Sequence, residues 1–152
     1  MTALVVLVLV LVVVGAVAVW QRRRAGVMFA VAAGGQAPDA ELAAELSAAG
    51  LIGAGPLVLH FSAEWCGPCA QVRPLVEQIC TELGGVRHLE VDVAEHPSLV
   101  RRCGVLSLPT ILILDDQLTA HARVSGVPLA ADLRNALVPL TGSEDSDHPD
   151  AR

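Results

Sequence analysis

The chain contains no lysine; all ten of its fixed positive charges are arginine, and three of these stand together at positions 22 to 24. Outside that cluster seven arginines face sixteen Asp and Glu residues, a balance that argues against a nucleic-acid partner, whose phosphates call for a basic face. Charge is scarce altogether, at 17% of residues against 53% hydrophobic. Cysteine is scarce too. Cys66, Cys69, Cys80 and Cys103 are too few and too irregular for a secreted disulfide scaffold. No internal repeat is present, and 152 residues suffice for one domain with a core but not for two.

Much of the apolar excess lies in one run, Ala3 to Val19, with Trp20, Gln21 and then Arg22, Arg23 and Arg24 directly behind it. At ~1.5 Å per residue such a run is at the lower limit for crossing a ~30 Å hydrocarbon core. Tryptophan favours the headgroup interface. A secretory signal carries its positive charge ahead of the apolar stretch, whereas here it comes behind. Residues 1–24 are therefore expected to form an uncleaved, single-pass transmembrane helix with a basic flank, touching lipid through residues 3–24. The positive-inside bias places the remainder of the chain in the cytoplasm; an atypical signal, with the domain outside, is the competing reading.

Beyond the anchor, elements alternate. Val27 to Val31 fits a short first strand, and the segment from Pro38 to Gly50 fits a helix with acids in its first turns. "LVLHFS" at 57–62 reads as a strand covered on both faces. A helix should run to about Leu83, since Val72, Leu75, Val76, Ile79, Cys80 and Leu83 recur at helical spacing. Residues 86–93 read as a strand, and Pro97 to Cys103 as a short helix. "TILIL" at 110–114 and "LTAHARV" at 118–124, split by Asp115-Asp116-Gln117, suggest an antiparallel hairpin. A last helix begins near Pro128 and runs to about Val138. The alternation predicts an α/β fold: a mixed sheet with a parallel core, an antiparallel edge hairpin and helices on both faces, over residues 25–141. Residues 142–152, polar and acidic, are expected to be a disordered tail.

The chemistry concentrates in "FSAEWCGPCAQVRP", residues 61–74. A cysteine at the mouth of a helix meets unpaired backbone N–H groups and the positive helix end, which favour its thiolate. Cys66 occupies that place, and Cys69 lies one turn on, on the same face, within reach of disulfide closure. Gly67 lets the backbone turn, and Pro68 pre-sets the first helical turn. A zinc site would need two further ligands, and no second paired motif exists. No metal or other cofactor is expected.

"FSAEWCGPC", Pro74 and "GVLSLPT" together resemble thioredoxin over roughly residues 38 to 138. The resemblance implies a thioredoxin fold, a cis peptide bond before Pro109 beside the reactive pair, and a backbone at Leu108 that pairs with the substrate chain. It further implies that Trp65 shields the thiolate and lines the peptide surface, together with Gly67 and Pro68, and that Gly126 stands beside the groove. The activity implied is protein-disulfide reduction: a Cys66 thiolate attacks, and Cys69 resolves the mixed disulfide. Partners would be disulfide-containing proteins, and a reductase or small thiol as electron donor.

The chain departs from that family at several positions. Its buried Asp aligns with His60 and its Lys with Glu90, while Ser62 replaces an aromatic residue and Ala70 a lysine. His60 and Glu90 are accordingly expected to hydrogen-bond beneath Cys69 and relay its proton; the alternative is a strand histidine satisfied elsewhere, with Glu90 solvated. Cys80 and Cys103 read as core residues, and His88, His96 and His121 as surface or edge residues. A non-catalytic binding module of the same fold remains a competing function. An outward-facing thiol reductase for cytochrome maturation or disulfide repair is another.

Overall fold

The computed structural model describes residues 9–15, 27–30 and 40–142. The expectations for Trp20, the arginine cluster at 22 to 24 and the acidic tail from 143 onward lie outside the described residues. Within the apolar run, residues 9–15 are helical (α1) with exposed apolar side chains. Among the described residues no helix is long and apolar enough to cross a membrane.

Next along the chain come β1 (Val27–Ala30), α2 (Ala40–Ala48), β2 (Leu57–Ser62), α3 (Gly67–Leu83), β3 (Arg87–Asp92), α4 (Pro97–Arg102), β4 (Thr110–Leu114), β5 (Ala120–Ser125) and α5 (Ala130–Thr141). They build one five-stranded sheet in the order β1-β5-β4-β2-β3. Among the described residues only β2 and β3 pair in parallel; β2 with β4, β4 with β5, and β5 with β1 are antiparallel.

This corrects the expected parallel core and edge hairpin. The β4–β5 hairpin is interior, flanked by β2 on one side and β1 on the other. Helix length explains the difference. The 17 residues of α3 cover ~25 Å, enough to carry the chain back along a ~20 Å strand and start a parallel one. The six residues of α4 cover only ~9 Å, so β4 starts at the end of the sheet where β3 stops and runs the other way.

Every residue of β2 is buried, because the strand is central and covered on both faces. Val58 packs on one side with Val72, Val76 and Ile79 of α3, Leu133 and Leu137 of α5, and Ile111 and Val124 from the hairpin. Leu57, Leu59 and Phe61 face the other side, among Leu89 and Val91 of β3, Leu46 of α2 and Leu99 of α4. The alternation follows from the two-residue period of a strand. Leu75, Cys80 and Leu83 are partly buried at the margin of the α3 stripe.

Two element ends differ from expectation. The turn before β5 extends to Thr119, because Asp115 Oδ1 accepts the backbone N–H groups of Gln117 and Thr119 at 2.9 and 2.8 Å. The final helix continues through Pro139 to Thr141.

The entry to β2 is a close backbone crossing. Gly55 has φ +100°, and a Cβ there would lie 2.5 Å from the carbonyl oxygen of Gly85. The Arg87 guanidinium donates to the carbonyls of Gly53 and Gly55, both through 2.9 Å contacts. Gly55→Ala should therefore destabilise the domain by about 2 kcal/mol or more, combining left-handed strain with a clash against backbone that cannot rotate away. A urea midpoint within error of the unaltered protein would count against this crossing.

Candidate active site at the start of helix α3

The first residue of the cysteine pair sits where the chain leaves β2 and enters α3. Cys66 is the N-cap of α3, with no side chain capping the helix, and Pro68 lies in its first turn. The Cys66 N–H donates to Ala63 O at 3.0 Å, and the Cys69 N–H to Cys66 O at 3.1 Å, tightening the loop into the helix. The two cysteines are joined in a disulfide, with Cα atoms 5.3 Å apart. Cys66 is 7% exposed and Cys69 2%, so the first sulfur is the one a partner reaches.

The wall beside the disulfide comes from distant sequence. Ala63, Val93 and Leu108 pack against the two cysteines. The Leu108–Pro109 peptide is cis, as the resemblance implied. Pro109 O accepts the N–H of Gly126 at 2.8 Å, bringing Gly126, with φ +97°, to the same edge. Thr110 Oγ1 donates to Ser107 O at 2.7 Å and braces that loop. Trp65 is 80% exposed, so it offers surface to a partner rather than packed cover to the sulfurs, and Leu106 in the loop before Pro109 is 96% exposed.

On the other side of the disulfide opens a cleft of about 620 Å³, lined by Ser62, Ala63, Glu64, Cys66, Cys69, Ala70, Arg73, Glu90, Asp92 and Glu95. Glu90 is the centre of its polar network. Arg73 Nε donates to Glu90 Oε2 at 2.5 Å and Arg73 Nη2 to Oε1 at 2.7 Å, while Ser62 Oγ donates to Oε1 at 2.6 Å. The Arg73 hydrogen bonds, aided by the Ser62 hydroxyl against the cost of burial, hold the Glu90 carboxyl down at about 2.

The expected bond between His60 and Glu90 is not formed. The two are register partners on β2 and β3. Yet His60 is fully buried, neither of its ring nitrogens has a hydrogen-bond partner, and its ring stacks on His88 with centroids 6.1 Å apart. Burial pushes its pKa down to about 4, with Glu90 pulling weakly the other way. The reason for the correction is competition: a guanidinium that takes both carboxylate oxygens is a stronger partner than a neutral imidazole. His88 is half-buried on an edge strand, its pKa also lowered by burial.

Sequence reasoning missed Arg73 and undervalued Ser62. The one local signal was that Arg73 lies four residues after Cys69 and so shares its helix face. Cys80 and Cys103 pack on opposite faces of the sheet, which rules out a bond between them, and burial lifts both thiols to about 11. They stay protonated and unreactive at neutral pH.

A family model described as Thioredoxin matches residues 40–138. A thioredoxin of Rhodospirillum rubrum is 36% identical over 75 residues, covering 49% of this chain and 72% of that protein. One of Mycolicibacterium smegmatis is 37% identical over 82 residues, covering 52% and 73%. Among solved structures, Fasciola hepatica thioredoxin superposes with a TM-score of 0.54 at 27% identity, covering 68% of this chain and 95% of the other.

Proposed function

This chain belongs to the thioredoxin family, and from that membership we propose that it is a protein-disulfide reductase. From its N-terminal apolar run and the arginines behind it we propose further that it is membrane-anchored with the domain facing the cytoplasm. The disulfide oxidoreductase chemistry rests on one observation: Cys66 caps the N-terminus of α3, bonded to Cys69 and packed with it against Leu108, whose peptide bond to Pro109 is cis. In the reduced protein the Cys66 thiolate attacks a sulfur of a substrate disulfide, forming a mixed disulfide and releasing one substrate thiol. Cys69 then attacks Cys66, closing the protein disulfide and releasing the second. A reductase or low-molecular-weight thiol returns two electrons to the pair. Substrate chains would lie along Trp65, Gly67, Pro68, Leu108, Pro109 and Gly126, a reading supported by Leu108 packing on the cysteines and by the Gly126 N–H bonded to Pro109 O.

The anchor is supported by the run from Ala3 to Val19, by the arginines behind it, and by the exposed apolar side chains of α1. A membrane-impermeant thiol reagent tests the orientation. Added to intact cells after a permeant reductant, it should leave Cys66 unmodified, and should label it on lysis. Labelling without lysis would place the domain outside. Catalysis is tested by a Cys69→Ser variant, which should accumulate mixed disulfides between Cys66 and cellular proteins; a variant that captures none would refute the reductase reading.

A further inference from the structure

Among the described residues, the cleft beside the disulfide contains a single guanidinium among four carboxylates, those of Glu64, Glu90, Asp92 and Glu95. Asp92 Oδ1 accepts the N–H of Ala94 at 2.7 Å and Glu90 is clasped by Arg73, one helical turn beyond Cys69. Behind them on β2 and β3 lie the uncharged rings of His60 and His88, and Glu77 on α3 also acts on Arg73. Once the Cys66–Cys69 bond is open, Cys69 is a thiol in a nearly closed position that has to become a thiolate with carboxylates as its charged company. An unpaired Glu90 would oppose that charge.

We propose that Arg73 is a positioning residue for the resolving step. By clasping Glu90 it cancels the carboxylate that shares the cleft wall with Cys69 and keeps it turned to Ser62, so that Cys69 ionises near neutral pH. In that step the Cys69 thiol gives its proton to cleft water and the thiolate attacks the Cys66 sulfur. The Cys66–Cys69 bond forms as the bond from Cys66 to the substrate sulfur breaks, and the departing thiolate takes a proton from solvent. Two electrons pass from the dithiol to the substrate. The inference rests on the reductase reading above.

The two halves of the reaction separate in a stopped-flow experiment with the reduced full-length chain and the aromatic disulfide dithiobis(nitrobenzoate). The first equivalent of coloured thiol reports attack by Cys66, and the second reports resolution by Cys69. Arg73→Met should slow the second phase about tenfold at neutral pH, by more than it slows the first, and raise the second phase's pH midpoint by about one unit. Arg73→Lys should restore the midpoint. Glu90→Gln, which keeps the cation and removes the anion, should lower it, and Arg73→Met with Glu90→Gln should return it near the starting value. A purely structural role for Arg73 would not move the midpoint in opposite directions. A second phase whose pH midpoint is the same in Arg73→Met as in the unaltered protein overturns the inference alone. A wild-type protein that never releases the second equivalent overturns the reductase reading and the inference with it.

Discussion

Replacing Cys66 by Ser should reduce turnover of a protein disulfide roughly 10³-fold or more, to the background of the assay. The hydroxyl keeps the place at the N-cap of α3 but has no accessible anion near neutral pH, and only a thiolate attacks a disulfide sulfur. Cys69→Ser should behave differently. Its first half-reaction survives, because the helix end that favours charge on residue 66 is intact. Turnover stops after one event, with the substrate left on Cys66. The contrast is the measurement: no adduct with Cys66→Ser, and a stable, reductant-sensitive adduct with Cys69→Ser. Equal adduct formation by the two variants would remove the distinction between the sulfurs, and an adduct with Cys66→Ser alone would reverse it; the assignment rests on Cys66 being the more exposed and standing at the helix mouth.

The reactive pair was legible in the sequence because its chemistry is local. Two cysteines three apart, a strand before them and an amphipathic helix after them are all written within one short stretch, and β2 and α3 appear where the residue periods place them. The interior position of the hairpin was less visible, since alternation of strands and helices does not state direction; the shortness of α4 does. The alignment that put His60 opposite Glu90 holds in the strand register. What could not be read was which neighbour Glu90 would choose, because that depends on Arg73 reaching across from the helix, 17 positions away in the chain. Nor does a sequence pattern say that the ring nitrogens of His60 go without partners.

That unsatisfied histidine sets the domain's response to acid, and His60→Leu should reveal it. The group titrates at about 4 in the folded chain against 6.5 when unfolded, owing mainly to burial. Above pH 6.5 both states hold it neutral and it contributes nothing to the pH dependence. Between 6.5 and 4 the unfolded chain binds a proton that the folded chain refuses, so stability falls as pH falls, by about 3 kcal/mol over the whole interval. His88, lowered in the same direction, adds to this slope. Glu90 overlaps with it only below pH 4.5: its folded value near 2 lies below the ordinary 4.5, so its contribution is present above 4.5 and is lost as pH drops through 2. The window from 6.5 to 4.5 thus belongs to the two histidines. His60→Leu should flatten the slope there, and at neutral pH should match or exceed the unaltered protein in stability, because the apolar side chain removes two buried nitrogens without partners. Urea midpoints taken at intervals between pH 7 and 4.5 decide the matter. Parallel curves for the two proteins would mean that the ring exchanges protons with solvent in the folded state, and that its isolation between the sheet and α3 is not what holds it neutral.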